Sequence, residues 1–134
     1  MILKGHMINR GKAEGETIVT KIPFSFLGEL DPMTGRVPAE SHELFGQTLA
    51  GKIFVFPTGK GSNSGPIVAW KAMKAGNIPL AMICVQAEPI IAAAAIVANI
   101  PMVDRLEKNP LEVISTGDYV KVDATNGIVE VVGK

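Results

Sequence analysis

Between Ile78 and Val103 only Gln86, Glu88 and Asn99 are clearly polar, and Pro79, Pro89 and Pro101 divide the stretch into pieces of strand and helix length. An apolar run this long is long enough to span a bilayer. Glu88, near its middle, would cost about 2.5–3.5 kcal/mol there, and each proline removes a backbone donor. The segment therefore reads as a buried strand over 80–85, a helix opened by Glu88-Pro89 and reaching 96–98, and a short strand Pro101-Met102-Val103-Asp104. It is not a membrane span.

The same rhythm begins upstream. Lys52-Ile53-Phe54-Val55-Phe56-Pro57 is a strand ended by its proline. A helix follows from Pro66, whose missing N–H is not needed in a first turn. It runs to about Ala75, where Gly76 ends it and Pro79 prevents its return. Lys71 and Lys74 are expected on its wet side, Trp70 and Met73 on its dry side. The order β-α-β-α-β implies a small parallel sheet with right-handed crossovers, an α/β fold.

The flanks read as β structure. Residues 1–30 carry β-leaning runs, Ile18-Val19-Thr20 and Phe24-Ser25-Phe26-Leu27, and Asp31-Pro32-Met33-Thr34-Gly35 is a turn. Residues 36–50 are loop, with a short helical piece near Ser41-His42-Glu43-Leu44. At the other end, Tyr119-Val120-Lys121-Val122-Asp123 and Ile128-Val129-Glu130-Val131 alternate around Asn126-Gly127, a hairpin signal. This hairpin is expected to pair with the N-terminal strands.

Composition narrows the function. The 134 residues suit one domain, 1–134, and 47% apolar against 19% charged residues exclude disorder. Thirteen basic side chains balance thirteen acidic ones, leaving no field for nucleic acid or an anionic membrane. The single cysteine, Cys84, rules out an internal disulfide and a metal site built from this chain's thiolates, and it lies in an apolar strand as a core residue. The opening Met1-Ile2-Leu3-Lys4-Gly5-His6 lacks the apolar stretch of a signal peptide, in keeping with a cytoplasmic protein.

Chemistry concentrates in Thr58-Gly59-Lys60-Gly61-Ser62-Asn63-Ser64-Gly65. Its glycines allow close approach and positive φ, its hydroxyls and amide offer hydrogen bonds, and it leads into a helix N-terminus that favours an anion. Two readings stay open: a site for a carboxylate, a phosphate or an ionised serine, or a polar connection in which Ser62 or Ser64 caps the helix. The phosphate-loop, dinucleotide and esterase-elbow spacings are all absent. His42 reads as a satisfied surface or cap residue rather than an acid–base group, and Asp31 as a turn former. Lys60 either steers an anion and helps to ionise Ser62, or is simply solvated.

Phe54-Val55-Phe56-Pro57-x-Gly59-Lys60-Gly61-Ser62-Asn63-Ser64-Gly65, preceded by Asp31-Pro32-x-Thr34-Gly35, resembles the small subunit of the aconitase X family, and the likeness extends over nearly the whole chain. This sequence has Asn63 where members carry Ser or Cys, and Gly28-Glu29 where they favour Gly-Gly. The resemblance implies a swivelling β/β/α domain like the C-terminal domain of aconitase. It also implies a hydro-lyase that works only with a large subunit, which holds an iron–sulfur cluster of the 4Fe–4S type. Ser62 falls on the family's catalytic base, with Lys60, Gly61, Asn63 and Ser64 around the substrate and no metal on this chain. In the archaeal branch the reaction converts (R)-5-phosphomevalonate to trans-anhydromevalonate 5-phosphate. Another hydroxy acid, such as cis-3-hydroxyproline, is an alternative. So is a non-catalytic anion-binding or phosphoryl-carrier module, although a carrier needs a histidine that the loop lacks.

Overall fold

A computed structural model describes residues 1–133. Its strands are β1 (Ile2–Lys4), β2 (His6–Asn9), β3 (Lys12–Val19), β4 (Ile53–Phe56), β5 (Ala81–Cys84), β6 (Met102–Asp104), β7 (Tyr119–Asp123) and β8 (Ile128–Gly133). The helices are the single-turn α1 (Phe26–Glu29), α2 (Gly65–Lys74), α3 (Pro89–Val97) and the single-turn α4 (Pro110–Val113). The strands run in the order β1-β8-β7-β3-β4-β5-β6-β2. As expected, β4 to β6 are parallel neighbours and the tail hairpin pairs antiparallel with β1 and β3; β3 also joins the parallel set beside β4, which the sequence reading does not include.

β1 and β2 are separated only by Gly5, yet they occupy opposite ends of that order. The sheet must therefore curl until its edges meet. β3 turns the corner: Lys12 to Glu16 pair with β7 in the antiparallel layer, and Thr17 to Val19 pair with β4 in the parallel layer. With α2 and α3 on the outer face of the parallel layer, the arrangement is β/β/α. No helix among the described residues is long and apolar enough to cross a membrane.

Strand alternation divides the core. Ile53 and Val55 of β4 face inward, packing with Ile83, Val103, Val120 and Val129 between the β layers. Phe54 and Phe56 face the helices, beside Phe24, Phe26, Ala69, Ala72, Ala94 and Ala95. Both faces of β4 and β5 are thus buried, which is why these strands lack a polar alternation. Phe24 stands edge-on to Phe54 at 4.8 Å, and Phe54 stacks on Phe56 at 4.7 Å.

Three local expectations need correction. Trp70 is exposed (45%), because α2 buries Gly65, Ala69 and Ala72 against sheet and neighbour, a seam too narrow for an indole. Lys74 Nζ lies 5.7 Å from its ring centre instead. Residues 24–27 do not form a strand: Phe24 makes one bridge, to Gly59, and Ser25 then caps α1 by accepting Leu27 N–H. Residues 41–44 form successive turns rather than a helical piece, as Phe45 N–H reaches His42 C=O.

Candidate active site

β4 ends at Phe56 on the carboxyl edge of the parallel sheet, where loops of open α/β sheets bind ligands. The chain then passes Gly59, where an added Cβ would collide with the Glu88 side chain and displace it from its present position. Phe24 N–H donates to Thr58 C=O at 2.9 Å, and Lys60 N–H donates to Phe24 C=O at 3.1 Å. The base of the loop is thereby fixed to the segment before α1.

Beyond that base the backbone turns left-handed at Gly61 (φ 89°) and at Ser62 (φ 78°). Ser62 C=O accepts Gly65 N–H at 3.0 Å, which closes the turn into α2. A serine in this region costs about 1–2 kcal/mol relative to ordinary backbone, and such strain concentrates at functional sites. Ser62, Asn63 and Ser64 are all exposed. Ser64 occupies the N-cap position but has helical dihedrals and makes no side-chain cap. The positive end of α2 therefore faces outward beside Ser62 without a serine oxygen filling it.

Lys60 has a partner that the sequence reading does not supply. Its Nζ lies 2.5 Å from Glu29 Oε2, and Glu29 Oε1 accepts Ser25 N–H at 2.8 Å. The Glu29 side chain is 12% exposed and that of Lys60 48%, so the pair ties loop to α1 and cancels much of the charge that Lys60 could lend Ser62. Removing the lysine strands a nearly buried carboxylate, whereas Glu29→Gln leaves two groups that can still hydrogen-bond. Lys60→Met is therefore expected to cost more stability than Glu29→Gln. The difference is about 1 kcal/mol, kept small by solvent screening at the lysine end, and urea midpoints would measure it.

Beside the loop, an open groove of about 620 Å³ lies over the carboxyl ends of β4 and β5, lined by Pro57, Thr58, Gln86, Glu88 and Asn109 among others. Glu88 caps α3, accepting Ile90 N–H at 2.9 Å and Ile91 N–H at 2.6 Å. Asp104, 2% exposed, accepts Ala87 N–H at 2.9 Å. Burial first, then the charges of Asp104 and Glu88, push the Cys84 thiol far above its usual range, so it remains an unionised core residue. The described residues contain no group of three or more His, Cys, Asp or Glu able to hold a metal ion. This chain's donors do not fit an iron–sulfur cluster.

Of the remaining sequence candidates, Asp31 is the turn former expected: its Oδ1 accepts Met33 N–H and its C=O accepts Gly35 N–H. His42 does cap locally, with Nδ1 accepting Leu44 N–H at 3.0 Å, but it is buried rather than on the surface. It sits in the segment before β4, not on the glycine loop. Lys60 to Ser64 share one loop, as the sequence reading has them, but that reading does not bring Glu29 to Lys60 or Glu88 to Gly59. The Glu88-Pro89 pair was a legible helix start; that it packs on Gly59 was not.

Comparison with known proteins bears on the family and the fold. The family model described as the aconitase X swivel domain matches residues 2–131. A phosphomevalonate dehydratase small subunit of Methanocella arvoryzae is 51% identical over 130 residues, which cover 97% of this chain and 98% of that protein. One of Methanosarcina acetivorans is 47% identical, with coverages of 97% and 90%. The crystal structure of Thermococcus kodakaraensis aconitase X in its holo-form superposes with a TM-score of 0.92 at 46% identity, covering 98% of both chains.

Proposed function

The chain belongs to the aconitase X swivel domain family, and on that premise we propose that it is the small subunit of a phosphomevalonate dehydratase. It acts as one swivelling domain that brings a base to a substrate held against a larger partner subunit. The substrate is (R)-5-phosphomevalonate and the product trans-anhydromevalonate 5-phosphate.

Ser62 is the base. Its oxygen, ionised, takes the proton from the carbon next to the substrate carboxylate. The C–H electron pair becomes the new C=C bond, and the neighbouring C–O bond breaks, releasing the hydroxyl that leaves, overall, as water. A serine hydroxyl is a weak acid, so its anion needs donors and positive charge around it. The observation that carries the reading is Ser62 itself: exposed, held at φ 78° and placed before an α2 N-terminus that no side chain caps. Asn63 and Ser64 follow as exposed polar residues of the same turn, and Gly61 lets a substrate approach the backbone.

Lys60, paired to Glu29, contributes position more than charge. The rest of the positive potential comes from the partner. So does the iron–sulfur cluster that the family implies, since the described residues offer no donor set for one. Activity accordingly requires both subunits. The reaction takes place in the cytoplasm, where a phosphorylated acid, unable to cross a bilayer unaided, is retained.

The test is co-expression with a candidate large subunit, anaerobic purification and assay of phosphomevalonate consumption. Each subunit alone is expected to be inactive and the complex active. A complex that assembles but leaves phosphomevalonate untouched while dehydrating another hydroxy acid would refute the substrate assignment.

A further inference from the structure

The proposed substrate carries two anionic ends: a carboxylate beside the carbon that loses its proton, and a phosphate at the opposite end. The first must lie near Ser62, on the loop after β4. The second has to reach away from it, and Lys60 is already committed to Glu29.

Two strands along the sheet, β6 ends at Asp104 and is followed by Arg105. Arg105 has φ 48°, a second charged or polar side chain at this edge on left-handed backbone. Its N–H donates to Val85 C=O at 2.9 Å, which sets it against the end of β5 and the groove that Val85 helps to line. Its Nε lies 3.4 Å from Oδ1 of Asp104, whose other oxygen is held by Ala87 N–H. Asp104 is buried, whereas the Arg105 side chain is 55% exposed. A guanidinium anchored through Nε keeps both terminal nitrogens, with their four N–H groups, free for a planar oxyanion contact. Neighbouring strands lie about 4.8 Å apart, so the ends of β4 and β6, from which the Ser62 loop and Arg105 respectively depart, are about 10 Å apart.

The geometry points to Arg105 as the residue that holds the substrate's phosphate, an assignment that rests on the function proposed above. Asp104 orients the guanidinium, and the left-handed backbone directs the side chain out of the sheet edge. Arg105 thus makes the site select phosphorylated over unphosphorylated hydroxy acids.

The experiment compares wild-type, Arg105→Gly and Arg105→Lys small subunits, each reconstituted with the large subunit. KM is measured for phosphomevalonate, and affinity for mevalonate is read as a substrate or as a competitive inhibitor. Glycine suits φ 48° and Asp104 keeps its bond from Ala87 N–H, so Arg105→Gly is expected to fold, the relieved backbone offsetting much of the lost ion pair, and thermal midpoints of variant and wild type check this. It is expected to raise KM for phosphomevalonate about 10- to 100-fold while leaving affinity for mevalonate unchanged. Arg105→Lys retains a charge without the fork and falls between the two. Equal losses for both compounds, or an unchanged preference for the phosphorylated one, would overturn the Arg105 assignment and leave the dehydratase reading standing. A wild-type complex inactive on phosphomevalonate would overturn the dehydratase reading, and this assignment with it.

Discussion

Replacing Ser62 with alanine is expected to lower turnover by at least about 10³-fold in the reconstituted complex, with assembly and substrate affinity nearly unchanged. A positioned general base contributes about 10²- to 10⁴-fold, and Ser64, the next hydroxyl of the loop, lies two residues on with helical dihedrals rather than at the left-handed turn. Asn63 is not a base at neutral pH, and the Lys60 ammonium is held by Glu29. Because Ser62 is exposed, its truncation opens no cavity, and unfolding midpoints of Ser62→Ala and wild type should coincide. Ser62→Gly separates function from folding more sharply. Glycine relieves the backbone at φ 78°, so this variant is expected to be as inactive as Ser62→Ala yet more stable by about 1 kcal/mol. Steady-state kinetics and thermal unfolding on the two variants check both halves. Near-normal turnover in either would remove Ser62 from the chemistry.

Gly127→Ala should have the largest effect on stability. Gly127 follows the short helical turn Ala124–Asn126 that links β7 to β8, at φ 67°. A methyl group there would lie 2.5 Å from Gly5 C=O oxygen and 3.2 Å from its carbon, both backbone atoms that cannot swing aside. Gly5 is confined in turn: its N–H donates to Gly127 C=O at 2.8 Å, and its own Cα faces Asp104 C=O and Leu106. This is the seam at which the curled sheet meets itself, so relief at one side disturbs the other. Left-handed strain and the collision together are expected to cost about 3 kcal/mol, lowering the thermal midpoint by about 10 °C. Gly61→Ala shares the positive φ but meets nothing within 4 Å, and should cost only the strain. Calorimetry on the pair tests that contrast.

What could be read from the sequence follows from how local each cause is. The prolines at 79, 89 and 101 act on their own peptide units, so the strand–helix–strand reading of 78–104 matches α3 and its neighbours closely. Asp31 satisfies its own turn, and the Asn126-Gly127 hairpin is visible because Gly127 needs positive φ by itself. Trp70 failed because its burial depends on Ala69 and Ala72 meeting sheet and neighbouring helix closely, a tertiary demand that size alone decides. Phe24 was misread for a related reason: its apolar neighbours suggested a strand, while Ser25 and Glu29 convert the chain into a capped turn under the loop.

The candidate site divides along the same line. A glycine-rich, serine-bearing loop before a helix is legible as a sequence pattern. The Glu29–Lys60 pair spans 31 positions, and the contact of Glu88 with Gly59 appears only when β4 and β5 lie side by side. Strain at Ser62 and Arg105 is invisible in one dimension, since nothing in their identity demands a left-handed backbone.

The most direct measurement of the central claim is a competition titration. Wild-type small subunit, added to a fixed amount of large subunit with phosphomevalonate, is expected to raise the dehydration rate to a plateau at stoichiometric assembly. Ser62→Ala subunit added alone should leave the rate at background, and mixed with wild type it should lower the plateau in proportion to its share, because it still occupies the partner. Dehydration by the large subunit by itself, or a full plateau supported by Ser62→Ala, would contradict the claim that this chain brings the base.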